Sequence, residues 1–527
     1  MATIYVNPNV AGTGSGTLAD PYKSTSSITP SAGDTIAIAK GTVLREQIAT
    51  AAIAANNLTI TSYGTGDAPI ISGAEIVSSW SATAVPGIFS TTLGSNLGGN
   101  VSENGLPMTC VFFNTNIATT APSIPTGGFS FDTANYIVYI RPTGGLPTNN
   151  TYEVSQRLYG IYSTASYSGL TVTGLSFRNQ SRNSIYLINR STTNINNNQF
   201  CIVGGYRSGG VSVGNAVELS YSCNSSKINY NTFEDIFDVA ATYQIYNNSV
   251  SISDCEIIGN SIKRTGFYGI EISIVGAVTN SSLVNIKVTN NTVELAGYAW
   301  RPTDVTGRGI HVDAAQATST ISNVLVSENT LKNCRWGLSE NTRGSTSSGV
   351  VFSRNVVTTD RTPANGRGIF ITGPVLFTSN IVDGYTYGIY PYGTSGTPVM
   401  KCHYNVCVNC VNGVLQDGTT GTIELRNNFF WHTGQWVSNF QNGMTRDFEY
   451  NSVRAASGSV TTGMTLSGTN LRPTTYQLAS PSYYPISGSS LINAGTFTEY
   501  TCDFFKVARR NPPTMGAYEY VNVRGTR

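Results

Sequence analysis

Three carboxylates and one imidazole recur at the same position of a short motif in the middle of this chain. The motif is a small residue, then an apolar residue, then a variable one, as in Ala216-Val-Glu218 and Gly269-Ile-Glu271. The variable position of its successive copies holds Tyr186, Glu218, Asp238, Glu271, His311, Ser339, Phe370, Tyr390 and Leu415. Only 11% of the residues are charged, so a column of acids is typical of a site for proton transfer or metal binding.

If the copies stack as successive turns, their side chains lie about 5 Å apart, the spacing of neighbouring strands. Like charges at that distance repel unless one is protonated or a cation intervenes. Glycoside hydrolysis uses two carboxyl groups, separated by about 5 Å in retaining enzymes and about 6.5–9.5 Å in inverting ones. We therefore predict Glu218, Asp238 and Glu271 as candidates for acid, base and nucleophile, with the division of roles left open.

A second chemistry competes for the same column, namely β-elimination on a uronic acid. It needs a base such as Lys, Arg or His, together with a cation that neutralises the sugar carboxylate. His311 is the fourth catalytic candidate, and the acids of the column would hold Ca²⁺ through oxygen ligands. Hydrolysis requires no cofactor, and we favour it because acids dominate the column.

Six further residues are predicted to bind the substrate: Tyr243, Tyr268, Trp300, Arg301, Arg308 and Asp313. Asp313 follows His311 by two residues, so the two share one face of a strand. The three aromatic side chains either stack on sugar rings or pack within the protein. The two arginines border His311 and would face an acidic sugar.

The elements that position these residues follow from a repeated asparagine. It stands two residues before an apolar residue, at spacings of about 23 to 38 residues, which is the range of solenoid repeats. The series is Asn198, Asn231, Asn260, Asn291, Asn329, Asn355, Asn380, Asn405, Asn428 and Asn451. Each repeat contains short β-rich stretches and no long helical pattern. An asparagine at one corner of each coil can adopt a turn conformation and bond to the asparagine of the next coil. The sequence therefore predicts an all-β, right-handed parallel β-helix.

The amino-acid composition limits the classes of binding partner that are expected. The chain has 527 residues, a formal net charge of +2 and no basic run, so nucleic-acid binding is not expected. No apolar stretch reaches the roughly 18 residues of a membrane-spanning helix, so membrane insertion is not expected either. Nine cysteines are scattered through the chain. Because their number is odd and only one pair has CxxC spacing, we predict thiols stacked in the core around Cys402, Cys407 and Cys410 and no metal site.

Both ends of the chain resemble the pectate-lyase-like parallel β-helix superfamily. The residues that carry the resemblance are Ile4-Tyr-Val-Asn-Pro8, Gly33-Asp-Thr-Ile36, Ser62-Tyr-Gly-Thr-Gly66, Ser490-Leu-Ile-Asn-Ala-Gly495 and Met515-Gly-Ala-Tyr-Glu-Tyr520. These motifs specify the scaffold. The superfamily contains lyases, hydrolases, epimerases and adhesins, so the fold alone does not identify the function.

Loss of the asparagine period divides the chain into four segments. We predict an N-terminal cap with the first coils over residues 1–78 and a small antiparallel β insert over 79–155. A parallel β-helix with the candidate groove follows over 156–455, and a C-terminal capping segment over 456–527. End caps are expected because a stacked core would otherwise expose apolar side chains and unpaired strand edges.

Within the superfamily, the chain is most similar to bacteriophage tailspike and depolymerase proteins. That resemblance implies a depolymerase of a bacterial surface polysaccharide, a homotrimer, and a location on a phage tail or outside the cell. The start of the chain lacks the pattern of a signal peptide. A polysaccharide lyase and a non-catalytic glycan-binding adhesin are the alternatives. The enzyme hypotheses require Glu218, Asp238, Glu271 and His311 to point outward from one face of the coil.

Overall fold

The computed structural model confirms an all-β parallel β-helix. It describes residues 1–94, 98–111, 123–208, 211–300, 307–314, 316, 318–342, 346–361, 365–393, 399–415, 417, 421–432, 434, 436–438, 444–455, 478–479, 484–485, 487–496, 498 and 501–519. In these ranges there is no α-helix, and the 3₁₀ turns are Thr25–Ser27, Thr50–Ile53 and Pro147–Asn149. None of the helical segments described has the length and apolar character needed to cross a membrane.

The chain forms two compact units. The first consists of residues 1–245, 251–271 and 295–307, and the second of residues 246–250, 272–294 and 308–527. Each unit has three parallel sheets, because every coil contributes one short strand to each of them.

In the first unit we number the parallel sheets I, II and III. Sheet I contains Thr3–Val6, Thr35–Ala39, Leu58–Tyr63, Leu170–Thr173, Asn194–Asn196, Lys227–Asn229 and Ser251–Ile258. Sheet II contains Val43–Leu44, Ile70–Ser72, Ser176–Arg178, Gln199–Val203, Thr232–Ile236 and Ser261–Thr265. Sheet III contains Tyr159–Ser163, Asn183–Ile188, Val217–Ser220, Ala241–Ile245 and the strand Tyr268–Ile274, whose first four residues belong to this unit.

Two sheets with antiparallel pairing lie between the first coils and the main run of coils. One contains Ala74–Val77, Tyr152–Ser155, Val101–Glu103 and Leu106–Pro107. The other contains Ser81–Ala82, Phe89–Thr92, Ile137–Arg141, Gly128–Asp132 and Thr109–Cys110, of which the last two pair in parallel. A hairpin of Tyr206–Ser208 and Val211–Val213 interrupts a later coil.

In the second unit the parallel sheets are IV, V and VI. Sheet IV contains Ser282–Thr289, Thr320–Ser327 with the side strand Thr346–Ser348, Val351–Ser353, Leu376–Thr378, Val399–His403, Gly421–Arg426 and Met444–Glu449. Sheet V contains the strand Thr292–Ala296, whose first three residues belong to this unit, and the strands Thr330–Lys332, Val356–Thr358, Ile381–Asp383, Val406–Cys410, Phe429–His432 and Ser452–Ala455. Sheet VI contains Arg308–Ala314, Trp336–Asn341, Arg367–Ile371, Tyr387–Pro391, Asn412–Leu415 and Val437–Ser438, and a separate pair is formed by Leu478–Ala479 and Tyr484–Pro485.

The predicted asparagine ladder is confirmed in both units. In the second unit the backbone N–H and the side-chain Nδ2 of Asn355 both donate to Oδ1 of Asn380, at 3.0 and 2.9 Å. Nδ2 of Asn355 also donates to the carbonyl of Val326 at 3.0 Å. In the first unit Asn198 donates in the same way to Asn231 at 3.0 and 3.2 Å. Each ladder amide thus uses its donors and its acceptor in a buried corner.

The turn conformation falls one residue earlier than the sequence predicts. The left-handed backbone is carried by the residue before the ladder asparagine, for example Asn197 at φ 55° and Arg354 at φ 55°. Tyr230, Ser379 and Tyr404 hold the same position in other coils. Since this residue is Asn, Arg, Tyr or Ser in different coils, its type does not reveal its conformation.

Apolar side chains after each ladder asparagine stack inside the coils, as predicted. Phe177, Phe200 and Phe233 form nearly parallel stacks with ring centroids 5.2 and 4.8 Å apart. In the second unit, Cys407 lies opposite Val382 on the neighbouring strand. It is free and buried, and burial raises the pKa of its thiol. The interior of the coils therefore consists of aligned apolar side chains.

Removing one rung of the ladder should destabilise the fold. Asn355→Ala removes the acceptor of the buried backbone N–H of Asn329 and one of the acceptors of its Nδ2, and it removes the donor to the carbonyl of Val326. Buried donors without partners cost about 1–3 kcal/mol each, so we expect the free energy of unfolding to fall by about 2–4 kcal/mol. Urea denaturation measures the change, and the exposed Asn247→Ala is the matched control. Equal stability of both variants would contradict the ladder's role.

Candidate active site

Glu218 lies on the outer face of sheet III. Val217 and Leu219 on either side of it are fully buried in the coil, and strand side chains alternate between faces. Its neighbour on the preceding strand is Tyr186. Its neighbour on the following strand is Thr242, so the register places a threonine where the sequence predicts Asp238.

The predicted position of Asp238 is therefore wrong. Asp238 lies in the bend that precedes the strand Ala241–Ile245. The strand begins later than the motif suggests because Ala241, Tyr243 and Ile245 supply the buried face. The predicted run of three carboxylates on consecutive turns does not form.

Three donors hold the carboxylate of Glu218, which is only 5% exposed. Oε2 accepts from Nδ2 of Asn183 at 2.7 Å and from Nδ2 of Asn215 at 3.0 Å. Oε1 accepts from the hydroxyl of Ser220 at 3.0 Å. An ionised carboxylate is an acceptor only, so this arrangement suits the charged form of Glu218 and fixes its orientation.

Glu271 is the second carboxylate on this sheet. Ile270 and Ile272 are buried on either side of it, so its side chain also points away from the coil interior. Nε2 of Gln244 donates to Oε2 of Glu271, and the side chain of Glu271 is 8% exposed. The strand Ala241–Ile245 separates the strands of Glu218 and Glu271, which puts their backbones about 10 Å apart.

Tyrosines surround the other side of Glu218. The rings of Tyr159 and Tyr162 stack at 4.5 Å, and Tyr186 lies 5.7 Å from Tyr162. The guanidinium of Arg182 lies 5.9 Å from the ring centres of Tyr159 and Tyr186. Burial, and secondly the charge of Glu218, raise the pKa of Tyr186. Together these residues form an aromatic surface beside a carboxylate, which we call the tyrosine cluster (Tyr159, Tyr162, Arg182 and Tyr186).

Two predicted substrate-binding tyrosines are buried instead. Tyr243 is 0% exposed, and its hydroxyl donates to the carbonyls of Ser226 and Glu256 at 2.8 and 3.1 Å. Its ring fills the coil interior, so it cannot stack on a sugar. Tyr268 is also buried and stacks on Phe267 at 3.8 Å. In the sequence, these two tyrosines could not be distinguished from outward-facing ones, because Tyr243 follows a small residue and Tyr268 follows an aromatic one.

Trp300 is a packing residue, which corrects its prediction as a sugar platform. It is 9% exposed, and its ring lies 4.8 Å from Phe237 of a coil and 6.1 Å from Phe129 of the insert. Its Nε1 donates to the carbonyl of Asp235 at 3.3 Å. The indole thus fixes the antiparallel insert to the first unit. Arg301, the next predicted residue, lies outside the described residues.

His311 belongs to the second unit, on the first strand of sheet VI. Ile310 and Val312 are buried on either side, so the imidazole faces outward but is only 3% exposed. Nη1 of Arg308 lies 2.9 Å from Nδ1 and 2.7 Å from Nε2 of the ring. Burial, and secondly the charge of Arg308, hold the pKa of His311 well below its usual range. The imidazole is therefore neutral at neutral pH.

Asp313 shares the strand of His311, as predicted. Its Oδ1 lies 3.9 Å from Nε2 of His311 and accepts from Nδ2 of Asn341 at 2.5 Å. Its Oδ2 accepts from the hydroxyl of Ser273 at 3.5 Å. The carboxylate is thus held by amide and hydroxyl donors and is half-buried.

Arginines and aromatic rings alternate along sheet VI. The guanidinium of Arg367 lies 3.9 Å from the ring centre of Trp336 and 3.7 Å from that of Tyr390. On the other side of Trp336, Arg308 lies 4.8 Å from its ring centre. An alignment of the strands of successive coils could have revealed this alternation, since Arg308, Trp336 and Arg367 occupy one register position.

Within the described ranges, no group of three or more His, Cys, Asp or Glu side chains is placed to hold a metal ion.

Neither a family model nor a curated protein sequence matches the chain. Among solved structures, XylC in complex with xylose aligns with a TM-score of 0.55 at 13% identity and covers 98% of both chains. A GH136 lacto-N-biosidase from Eubacterium ramulus gives 0.46 at 12% identity, over 86% of this chain and 68% of that one. The tailspike protein of E. coli bacteriophage HK620 gives 0.43 at 11% identity, over 81% and 69%. The alignment with XylC confirms the resemblance at the level of the fold.

The neutral imidazole of His311 should make folding stability depend on pH. Its pKa in the folded state is lowered from an ordinary value of 6.5, so below about pH 6.5 the unfolded chain binds a proton that the folded chain does not. Stability is therefore lost as the pH falls, by up to about 1.4 kcal/mol per pH unit from this group. Urea denaturation between neutral and mildly acidic pH should show a weaker pH dependence for His311→Asn than for the natural protein. An unchanged slope would show that His311 binds a proton equally well in the folded and the unfolded chain, which would contradict the lowered pKa.

Proposed function

We propose that this protein is a glycan depolymerase that hydrolyses glycosidic bonds with Glu218 and Glu271. The observation that carries the proposal is the pair of carboxylates, both almost buried, on the outer face of sheet III beside the tyrosine cluster. Aromatic rings next to carboxylates suit a sugar, whose apolar face stacks while its hydroxyls form hydrogen bonds. The polysaccharide substrate, the homotrimer and the phage-tail or extracellular location remain predictions from the sequence resemblance.

The two carboxylates divide the roles of base and acid. Every described hydrogen-bond partner of Glu218 is a donor, so we assign Glu218 as the ionised base that removes a proton from the attacking water. Glu271, held by Gln244, is the acid that donates a proton to the glycosidic oxygen as the bond to the anomeric carbon breaks. The water oxygen attacks that carbon from the opposite face and becomes the new hydroxyl.

The spacing of the strands favours a mechanism with inversion. Glu218 and Glu271 stand on strands separated by one other strand, so their backbones are about 10 Å apart. That separation is closer to the range of about 6.5–9.5 Å between carboxyl groups that leaves room for a water molecule than to the retaining distance. A retaining mechanism would need carboxyl groups about 5 Å apart, which adjacent strands would supply.

Relatives of the fold guide the choice of substrates to test. XylC, whose fold is similar, is described with bound xylose, and the sequence of this chain resembles phage tailspike proteins. Xylo-oligosaccharides and bacterial surface polysaccharides therefore both belong in the panel of glycans.

Loss of either carboxylate should abolish cleavage without unfolding the protein. We expect Glu218→Gln and Glu271→Gln each to lower the rate of release of reducing ends by about 100-fold or more, because each removes a proton acceptor or donor. Thermal unfolding should stay close to that of the natural protein, since glutamine keeps the shape of the side chain.

Glu256→Gln is the matched control, because its carboxylate lies in sheet I, where it forms a half-exposed ion pair with Lys227 at 3.2 Å. Full activity of both Glu218→Gln and Glu271→Gln on a cleaved glycan would reject the assignment. Ultraviolet absorbance of an unsaturated product, in place of a simple reducing end, would instead establish the lyase alternative.

The anomeric configuration of the first product is a separate prediction. With the carboxylates on alternate strands we expect inversion, because water attacks directly. Proton NMR of the anomeric signal, recorded before mutarotation, distinguishes the two outcomes. A product that retains the configuration would place the reacting carboxylates closer together than sheet III allows.

A further inference from the structure

A second cluster of groups suited to a ligand lies on the outer face of sheet VI, in the second unit. Two neighbouring rows of side chains form it. One row is Arg308, Trp336, Arg367 and Tyr387, and the other is His311, Ser339, Phe370 and Tyr390. We call these residues the arginine–aromatic stack. None of its members is used in the proposed hydrolysis.

Arg367 is the centre of this stack. Its guanidinium lies between the rings of Trp336 and Tyr390, at 3.9 and 3.7 Å from their centres, and 5.3 Å from that of Phe370. Aromatic faces attract a guanidinium and fix its plane. The fork of donors is therefore held in one orientation before any ligand arrives, which reduces the entropy lost on binding.

The donors of Arg367 are not used by the described part of the protein. Its side chain forms no hydrogen bond or ion pair with another described residue, and its Nε is buried without a partner. The charge of Asp417 raises the pKa of Arg367, but Oδ2 of Asp417 accepts from the hydroxyl of Tyr390 at 2.6 Å. Burial lowers the pKa of Arg367 to about 10, so the group stays charged at neutral pH and pays a desolvation cost that an anion would offset.

A second buried group faces the same surface. The hydroxyl of Ser339, between His311 and Phe370 in its row, is fully buried and has no hydrogen-bond partner among the described residues. Buried polar atoms are nearly always paired in proteins, and those that are not mark sites for a ligand, an ion or water. Tyr387, opposite Arg367 on the next strand, is half-buried and offers a partly exposed phenol.

We propose that the arginine–aromatic stack binds the carboxylate of a uronic acid residue in a glycan, with Arg367 as the bidentate partner. A planar carboxylate matches the guanidinium fork. Arg308 adds a second positive charge in the same row, two strands away from Arg367. That the carboxylate belongs to a sugar rests on the proposed function in glycan cleavage; the anion site itself rests on sheet VI alone.

The test compares two ligands that differ in charge. Trigalacturonate and its fully methyl-esterified form are titrated into the full chain by calorimetry, at fixed ionic strength. We expect the acid to bind about tenfold more tightly than the ester. Arg367→Gln should remove this preference, and Arg367→Lys should keep only part of it, since lysine retains the charge without the fork.

Arg510→Gln is the matched control, because Arg510 is an exposed arginine of the same unit. It should leave the preference unchanged. Near-ultraviolet circular dichroism checks that the Arg367 variants remain folded. If Arg367→Gln does not fold, Arg367→Lys is used to measure the loss of the preference.

Three outcomes would overturn the proposal. These are equal binding of acid and ester by the natural protein, a preference that persists in Arg367→Gln, and displacement of trigalacturonate by an equal concentration of inorganic phosphate. The last result would indicate a general anion site. Binding is measured under conditions in which the ligand is not cleaved, and again in the Glu218→Gln, Glu271→Gln double variant. The preference for the acid over the ester should persist in that double variant. Failure of the hydrolase assignment would therefore not be mistaken for failure of this site.

Discussion

The pairing of each coil with the next is the interaction on which this structure depends. Parallel strands of consecutive coils share backbone hydrogen bonds, and the asparagine at one corner adds a second set, from Asn355 to Asn380 and from Asn198 to Asn231. A buried amide with all its groups bonded to equivalent amides tolerates no shift by one residue. The ladder therefore fixes the register of every neighbouring strand, and with it the face on which each side chain lies.

Register in turn decides which polar groups become chemically useful. An outward position lies next to the same position of the next coil, about 4.8 Å away, so like charges there are costly and aromatic rings there stack. On sheet III the carboxylate of Glu218 is paired with amides and a hydroxyl, and a threonine separates it from the next acid strand. On sheet VI two arginines are separated by the ring of Trp336. Both arrangements keep strong charges buried by giving them neutral neighbours.

The neighbours of a side chain distinguish groups that pack from groups that we propose to act. Trp300, Tyr243 and Tyr268 have the aromatic character expected of a sugar platform, yet each is enclosed by neighbouring protein groups. His311 faces outward but lies under Arg308, and its burial, together with the charge of Arg308, lowers its pKa and keeps the imidazole neutral. In contrast, Arg367 lies between the rings of Trp336 and Tyr390, and its donors form no hydrogen bond with another described residue.

The sequence by itself determined the parallel β-helix, the asparagine ladder and the outward positions of Glu218, Glu271 and His311, because these depend on a local pattern that repeats from coil to coil. Only the tertiary structure decided that Thr242 and not Asp238 lies opposite Glu218. The segment Ile236-Phe-Asp-Val-Ala-Ala-Thr-Tyr243 offers several small and apolar residues in succession, so more than one alignment satisfies the motif. The choice is made by hydrogen bonds to the neighbouring strand and by which side chains fill the interior. Both are contacts between residues distant in sequence, which no single segment contains.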